Sequence, residues 1–381
     1  MKILFITYHN LKDNMASSGT VISIKKALEN AGNTVNVIDG LSIPFWQKLK
    51  KRLINSILKK EYDPIREPSV LKKMNKAIFD RANDIQYDIV FSQTSVLCAY
   101  YTGNKPIVFY TDAAFGGMLN YYVDPETWYQ PNLKNACDSE RLALERCSKA
   151  IYASDWAANA AVQCHGASPN KCVVINRGAN IEHDYNKDDI KAAIECRNVI
   201  TKKRYYKMLF VGRDWERKGG PFALEIVKKV NELGYQSKLV VVGCNPIVSS
   251  DNLDYIESVG FLNKAKSDEN KRLQHYFLYS DFYLQPSKHE CQGIAYTEAS
   301  AFGLPVFANN TGGVSGVVTK ANGCLMQPED TADTYANKII DLLKNEKKYR
   351  ELAVSTFNFY EEKLNWKNVG ERITQVLESV R

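Results

Sequence analysis

Glu290 and Glu298 stand eight positions apart in residues 289–306, HECQGIAYTEASAFGLPV, a stretch with no Lys or Arg to neutralise them. The apolar run at 281–287 predicts a strand and the segment from Ile294 a helix. Glu290 then falls in the joining loop, Gly293 at the helix mouth, and Glu298 about one turn inside. Ionised carboxylates accept hydrogen bonds from pairs of hydroxyls, so two of them beside a helix mouth suit a polyol. The same spacing also describes a solvated loop acid and a surface helix residue. Upstream, FVGRDWERKGG at 210–220 sets Arg213 and Lys218 between a strand and a helix, with Gly212 before them and Gly219 and Gly220 after. A guanidinium fork, an ammonium point charge and a helix N-terminus together suit a diphosphate. A solvated turn with incidental charges is the plainer alternative. The loop is neither a dinucleotide G-x-G-x-x-G nor a Walker A sequence, which weighs against hydride transfer and nucleoside triphosphate hydrolysis.

Short apolar runs alternating with helix-period segments predict βαβ units and parallel sheets. Strands are expected at 2–8, 34–39, 87–93, 106–112, 150–154 and 171–178, and again at 207–213, 238–243, 256–261, 281–287, 305–310 and 323–328. Helices are expected at 19–32, 222–234 and 294–303, and the chain ends in helices at about 331–356 and 366–380. In the last, Trp366, Val369, Ile373 and Val376 recur at helical spacing and predict one buried face. The charge-dense stretch 184–206 reads as a solvated connection. A chain of 381 residues exceeds one ordinary core. The fold class expected is therefore α/β, two Rossmann-like domains facing a central cleft, with ligands beyond the carboxyl ends of the strands.

The formal charge of +7 points to acidic small ligands or an anionic membrane surface rather than nucleic acid. Nine scattered cysteines without a C-x-x-C pair argue against zinc and a disulfide framework, and for a reducing cytosol. MKILFITYHN opens as a strand, without the features of a signal peptide, and no run approaches the roughly 20 apolar residues of a spanning helix. Residues 42–60, SIPFWQKLKKRLINSILKK, carry six Lys or Arg and no acid, with Phe45, Leu49, Leu53 and Ile57 every four residues. This is a basic amphipathic helix that either lies on an anionic membrane or packs its stripe on the first sheet. The aromatic tract 114–131 is a candidate acceptor loop, or plain packing.

The set E-x-x-G-x4-E-A-x-A-x-G-x-P-V followed by T-G-G resembles the retaining GT-B glycosyltransferases of the GT4-type (glycosyltransferase group 1) family. Here it is Glu290, Gly293, Glu298, Ala299, Ala301, Gly303, Pro305 and Val306, then Thr311, Gly312 and Gly313. Gly212, Arg213, Lys218 and Gly219, the SDW at 154–156, the INRGAN turn at 175–180 and the C-terminal amphipathic helix are similar too. The resemblance implies GT-B architecture: an acceptor domain at 1–190 completed by a helix at 357–381, and a nucleotide-sugar donor domain at 200–356. It implies that Arg213 and Lys218 hold the donor diphosphate, Glu290 the sugar hydroxyls and Glu298 the ribose. Gly293 and Ile294 amides would face the phosphate or sugar, Gly19 would let the phosphates approach, and Leu262 would lie near the base. No cofactor or metal is implied, because Arg and Lys replace a divalent cation and the chain lacks a D-x-D motif. A UDP-sugar is favoured over a GDP-sugar, with a glycan or lipid-linked saccharide as acceptor at the cytoplasmic face of the membrane. A catalytically idle binding module is the alternative. Two departures stand out. Cys291 and Gln292 replace the common E-G-F-G pattern, so Gln292 is expected to add a hydrogen bond to the sugar. Thr111 and Asp112 replace a common His-Asp, with Asp112 either orienting the acceptor or capping the next segment.

Overall fold

The computed structural model describes residues 1–11, 19–197 and 205–381. They form two compact units, Met1–Asn176 with Trp366–Arg381, and Arg177–Asn365. The first holds β1 (Lys2–Ile6), β2 (Thr34–Ile38), β3 (Ile89–Ser92), β4 (Ile107–Thr111), β5 (Lys149–Tyr152) and β6 (Cys172–Val174). The second holds β7 (Tyr206–Val211), β8 (Ser237–Val242), β9 (Ile256–Gly260), β10 (Phe282–Gln285), β11 (Val306–Asn309) and β12 (Gly323–Met326). Each expected strand is present, ending one to four residues earlier than expected, and β5, β7 and β8 begin one residue sooner. Both sheets are wholly parallel, in the orders β2-β1-β3-β4-β5-β6 and β12-β11-β10-β7-β8-β9. Parallel strands covered on both faces must be apolar throughout, and Ile3 to Ile6 and Leu239 to Val241 are fully buried. Chain direction across each sheet reverses beside its first strand, between β1 and β3 and between β7 and β10. Crevices at such switch points, outside the carboxyl ends, are where doubly wound sheets bind ligands.

The helices are α1 (Thr20–Asn30), α2 (Phe45–Leu53), α3 (Pro68–Ala82), α4 (Phe115–Met118), α5 (Gln130–Arg146), α6 (Asp155–His165), α7 (Lys187–Arg197), α8 (Gly220–Glu232), α9 (Ser267–Tyr279), α10 (Ile294–Ala301), α11 (Ala332–Lys344), α12 (Glu346–Phe359) and α13 (Trp366–Glu378). Helix α13 belongs to the first unit, where Val369, Ile373 and Leu377 are fully buried with Val21, Ile24 and Leu28. Each such side chain contributes about 1.5–3 kcal/mol by leaving water. Gly370 lets α13 touch α1, since a Cβ there would sit 2.3 Å from the Ala27 carbonyl oxygen.

Two expectations change, and one of two open readings of α2 falls away. The joint falls after Asn176 rather than at 190–200, because part of the supposed solvated connection is α7. That helix buries Ile190, Ala193 and Ile194 in the second unit's core, and Arg197 donates from Nη2 to the Phe302 carbonyl at 2.7 Å. Burial lowers the Arg197 pKa. Residues 198–204 lie outside the described residues. The expected helix at 331–356 is two, broken at Asn345, whose side chain caps α12 by accepting from the Lys348 amide at 3.0 Å. The apolar stripe of α2 faces solvent and does not pack on the sheet. In the tract 114–131, Phe115, Val123 and Trp128 close a small core of their own with Ala136.

Candidate functional site

In the second unit, β7 and β10 are hydrogen-bonded neighbours, so the loops leaving them emerge at one edge of the sheet. Gly219 permits their contact. It opens α8 in the left-handed region, with φ 77°, and a Cβ there would stand 2.0 Å from the Pro286 carbonyl oxygen. Arg217 stitches the loops together. Its carbonyl accepts from the Lys288 amide at 2.9 Å, and its Nη1 donates to the His289 carbonyl at 3.1 Å. The amide and Nε of Arg217 each donate to the Asp214 carboxylate at 3.1 Å. Its backbone hydrogen bond is the main cause of the lowered Asp214 pKa.

Lys218 then lies beside Gly212 and forms an ion pair with Glu290, with both side chains largely buried. The T-G-G turn braces the acid's loop. Gly313 donates its amide to the Glu290 carbonyl at 3.1 Å, and the Thr311 hydroxyl donates to the Lys288 carbonyl at 3.0 Å. Gly293, at the mouth of α10 with φ 86°, is the second enforced glycine, since a Cβ there would lie 2.3 Å from the Tyr296 ring. The first amides of α10, beginning with Ile294, lack intrahelical acceptors by geometry and face outward along the helix axis. Arg213 is exposed, its guanidinium 4.6 Å from the centroid of Phe261 just past β9.

Glu298 is 1% exposed and pairs with Lys264, from the loop after β9. Each acid thus has a lysine partner from a distant loop, as a buried carboxylate requires. An ammonium carries three donors, so Lys218 and Lys264 retain capacity for oxygens of a ligand. A buried chain supports the loop from beneath. Tyr283 donates to Gln285 at 2.7 Å, Gln285 to Ser287 at 3.0 Å, and the Tyr296 hydroxyl to the Gln285 carbonyl at 2.9 Å.

Two predicted residues have their side chains engaged within the protein. The Gln292 oxygen accepts from the Arg177 amide at 2.8 Å and its nitrogen donates to the Arg177 carbonyl at 3.1 Å. It is a buried clamp from the helix mouth onto the Arg177 backbone. Leu262 is buried in the core, while Phe261 before it is exposed. Sequence reasoning missed Arg217, Phe261 and Lys264, since neither spacing nor periodicity marks a lone residue in a loop after a strand.

The carboxyl edge of the first sheet holds the other predicted residues. Gly19, with φ 86°, opens α1 after β1, while Ser17 and Ser18 lie outside the described residues. Thr111 ends β4, and its carbonyl accepts from the Ala153 amide at 2.9 Å. Asp112 is half-buried, within electrostatic reach of Tyr8, whose pKa burial raises. A group missed from sequence is Glu140 of α5, which reads as a surface acid yet is 1% exposed. Ser95 donates to it at 2.7 Å, and Arg66 lies 3.7 Å away with its guanidinium over the Phe115 ring. Burial raises the Glu140 carboxyl pKa. Among the described residues, no three His, Cys, Asp or Glu side chains gather as a metal would require.

Residues 193–357, all within the second unit, match the family model described as Glycosyl transferases group 1. An uncharacterized 41.2 kDa protein in the cps region of Klebsiella pneumoniae is 26% identical over 260 residues, 66% of this chain and 66% of that one. The GDP-mannose-dependent monoacylated α-(1-6)-phosphatidylinositol monomannoside mannosyltransferase of Corynebacterium glutamicum is 26% identical over 173 residues, 43% of this chain and 44% of its own. The chain thus spans less than two thirds of the length of these two relatives. HepE of Anabaena, solved in complex with UDP and glucose, shares the fold with a TM-score of 0.63 at 18% identity, over 100% of both chains. The architecture is the GT-B fold of two Rossmann-like units.

Proposed function

We propose that this protein is a retaining glycosyltransferase that takes a sugar from a nucleotide-diphosphate donor, a UDP-sugar ahead of a GDP-sugar. The acceptor is a glycan or lipid-linked saccharide of a cell-surface polysaccharide or glycolipid, met at the cytoplasmic face of the membrane. The observation that carries this reading is the Lys218–Glu290 pair at the β7/β10 switch, where the Arg213 loop and the mouth of α10 leave the same sheet edge. A diphosphate and a polyol are the two parts of a nucleotide sugar, and cations and carboxylates are what each part calls for.

In this mechanism the acceptor oxygen attacks the anomeric carbon on the face from which the diphosphate departs. As the carbon–oxygen bond to phosphate breaks, a phosphate oxygen takes the acceptor proton. Arg213 and Lys218 counter the negative charge growing on the leaving group, so the chemistry needs no divalent cation. Glu290 accepts from sugar hydroxyls and Glu298 from the ribose.

Nucleotide release, measured across UDP- and GDP-sugars with saccharide acceptors, tests this. Arg213→Ala should lower release about 100-fold or more. Thermal upshift by a nucleotide sugar without any release would make the protein a catalytically idle binding module. Neither upshift nor release would overturn the donor site.

A further inference from the structure

Helix α2 is turned inside out. Its inward side is carried by Gln47, 1% exposed, which accepts from the Tyr62 hydroxyl at 2.6 Å, and by Ile54 in the π turn Ile54–Leu58 that continues the helix. Its apolar stripe faces water: Phe45 is 77% exposed, Trp46 54%, Leu49 46% and Ile57 70%. Large apolar residues scattered singly over a surface are ordinary, but a contiguous patch on one short helix marks a contact. Lys48 and Arg52 border the Phe45–Leu49 edge by helical geometry, Lys51 and Lys59 are exposed nearby, and the tract 42–60 contains no acid.

We propose that α2 and its following turn dock this protein on an anionic phospholipid bilayer, lying in the plane of the surface. The charge decides the occupant. Protein contact cores are depleted of lysine, whereas an apolar stripe hemmed by cations and carrying Trp matches an acyl boundary beneath anionic headgroups. Helix α2 has only nine residues, and among the described residues no helix is long and apolar enough to cross a membrane. The helix therefore lies on the surface and does not span it. This inference goes beyond the donor reading and does not rest on it.

The test is co-sedimentation with vesicles of phosphatidylglycerol mixed with phosphatidylcholine, against phosphatidylcholine alone. The mixed vesicles should carry the protein down and the neutral ones should not. Binding should fall as salt shortens the screening length from about 10 Å at 0.1 M to 3 Å at 1 M. Phe45→Ser with Leu49→Ser and Ile57→Ser should abolish binding without lowering Tm, because those side chains are already in water. Lys48→Gln with Arg52→Gln should weaken it about 25-fold, at about fivefold per charge. Equal binding to both vesicles, no binding to either, or persistent binding by the triple serine variant would overturn the proposal. So would a dimer that the triple variant dissolves while vesicles bind nothing, which would give the face to a second copy.

Discussion

Replacing Lys218 with Met keeps the stem against Gly212 and deletes the ammonium that pairs with Glu290. The two side chains are 15% and 11% exposed, so the carboxylate left behind is largely dry. Breaking a fully buried pair costs about 3–5 kcal/mol and an exposed one about 0–1 kcal/mol, which places this loop-edge pair near 2 kcal/mol. For a unit of this size each kcal/mol moves Tm by about 2–4 °C, so a loss of roughly 4–8 °C is expected. Glu290→Gln removes the stranded charge, and the double variant should recover most of that loss, with a coupling of about 1–2 kcal/mol. Activity should not follow. The positive charge proposed to face the leaving diphosphate is missing in both, so kcat/KM should fall about 100- to 1000-fold in Lys218→Met and in the double variant alike. Thermal denaturation and nucleotide release read the two effects separately. Additive stability losses would refute the pair. Donor turnover by Lys218→Met within about tenfold of the unaltered protein would refute the diphosphate role.

Gln292→Leu should cost about 1–3 kcal/mol by orphaning the Arg177 amide and carbonyl, while the ranking of donor sugars in nucleotide release stays unchanged. An altered ranking would return Gln292 to direct contact with the sugar. Glu140 supplies a pH dependence. Burial raises its carboxyl above the ordinary 4.5, so the folded chain holds a proton that the unfolded chain gives up as pH rises past that value. Stability from this group is then present at low pH and is lost as pH climbs towards the raised folded value. Denaturant midpoints of Glu140→Gln should accordingly exceed those of the unaltered protein by a margin that widens with pH above about 4.5 and closes below it. A margin independent of pH would mean that the acid is not titrating differently in the two states.

The strands were legible because a sheet buried on both faces forces an uninterrupted apolar run, and such runs were visible at each of the observed positions. The enforced glycines were legible in part: Gly219 and Gly293 stood out by their place before helices, though not the carbonyl or ring that forbids a Cβ. Helix α7 was hidden because three apolar contacts among many charges satisfy its core. The orientation of α2 was hidden for a deeper reason. Periodicity shows that a helix has an apolar face, but only tertiary contacts, here Tyr62 with Gln47, decide which way that face turns.

The same limit explains the two carboxylates. Glu290 and Glu298 looked unneutralised because their partners lie 72 and 34 positions away, in loops that only the sheet order brings to them. Each is instead half of an ion pair, and its value to a reaction changes accordingly. An ammonium carries three donors, so each lysine can hold its acid and still donate to an oxygen of a bound anion. Arg213, its guanidinium over Phe261 at the exposed rim, adds a cation beside the two pairs. The edge therefore presents two lysine–carboxylate pairs with an exposed guanidinium nearby, and it is on this arrangement that the proposed nucleotide-sugar reading rests.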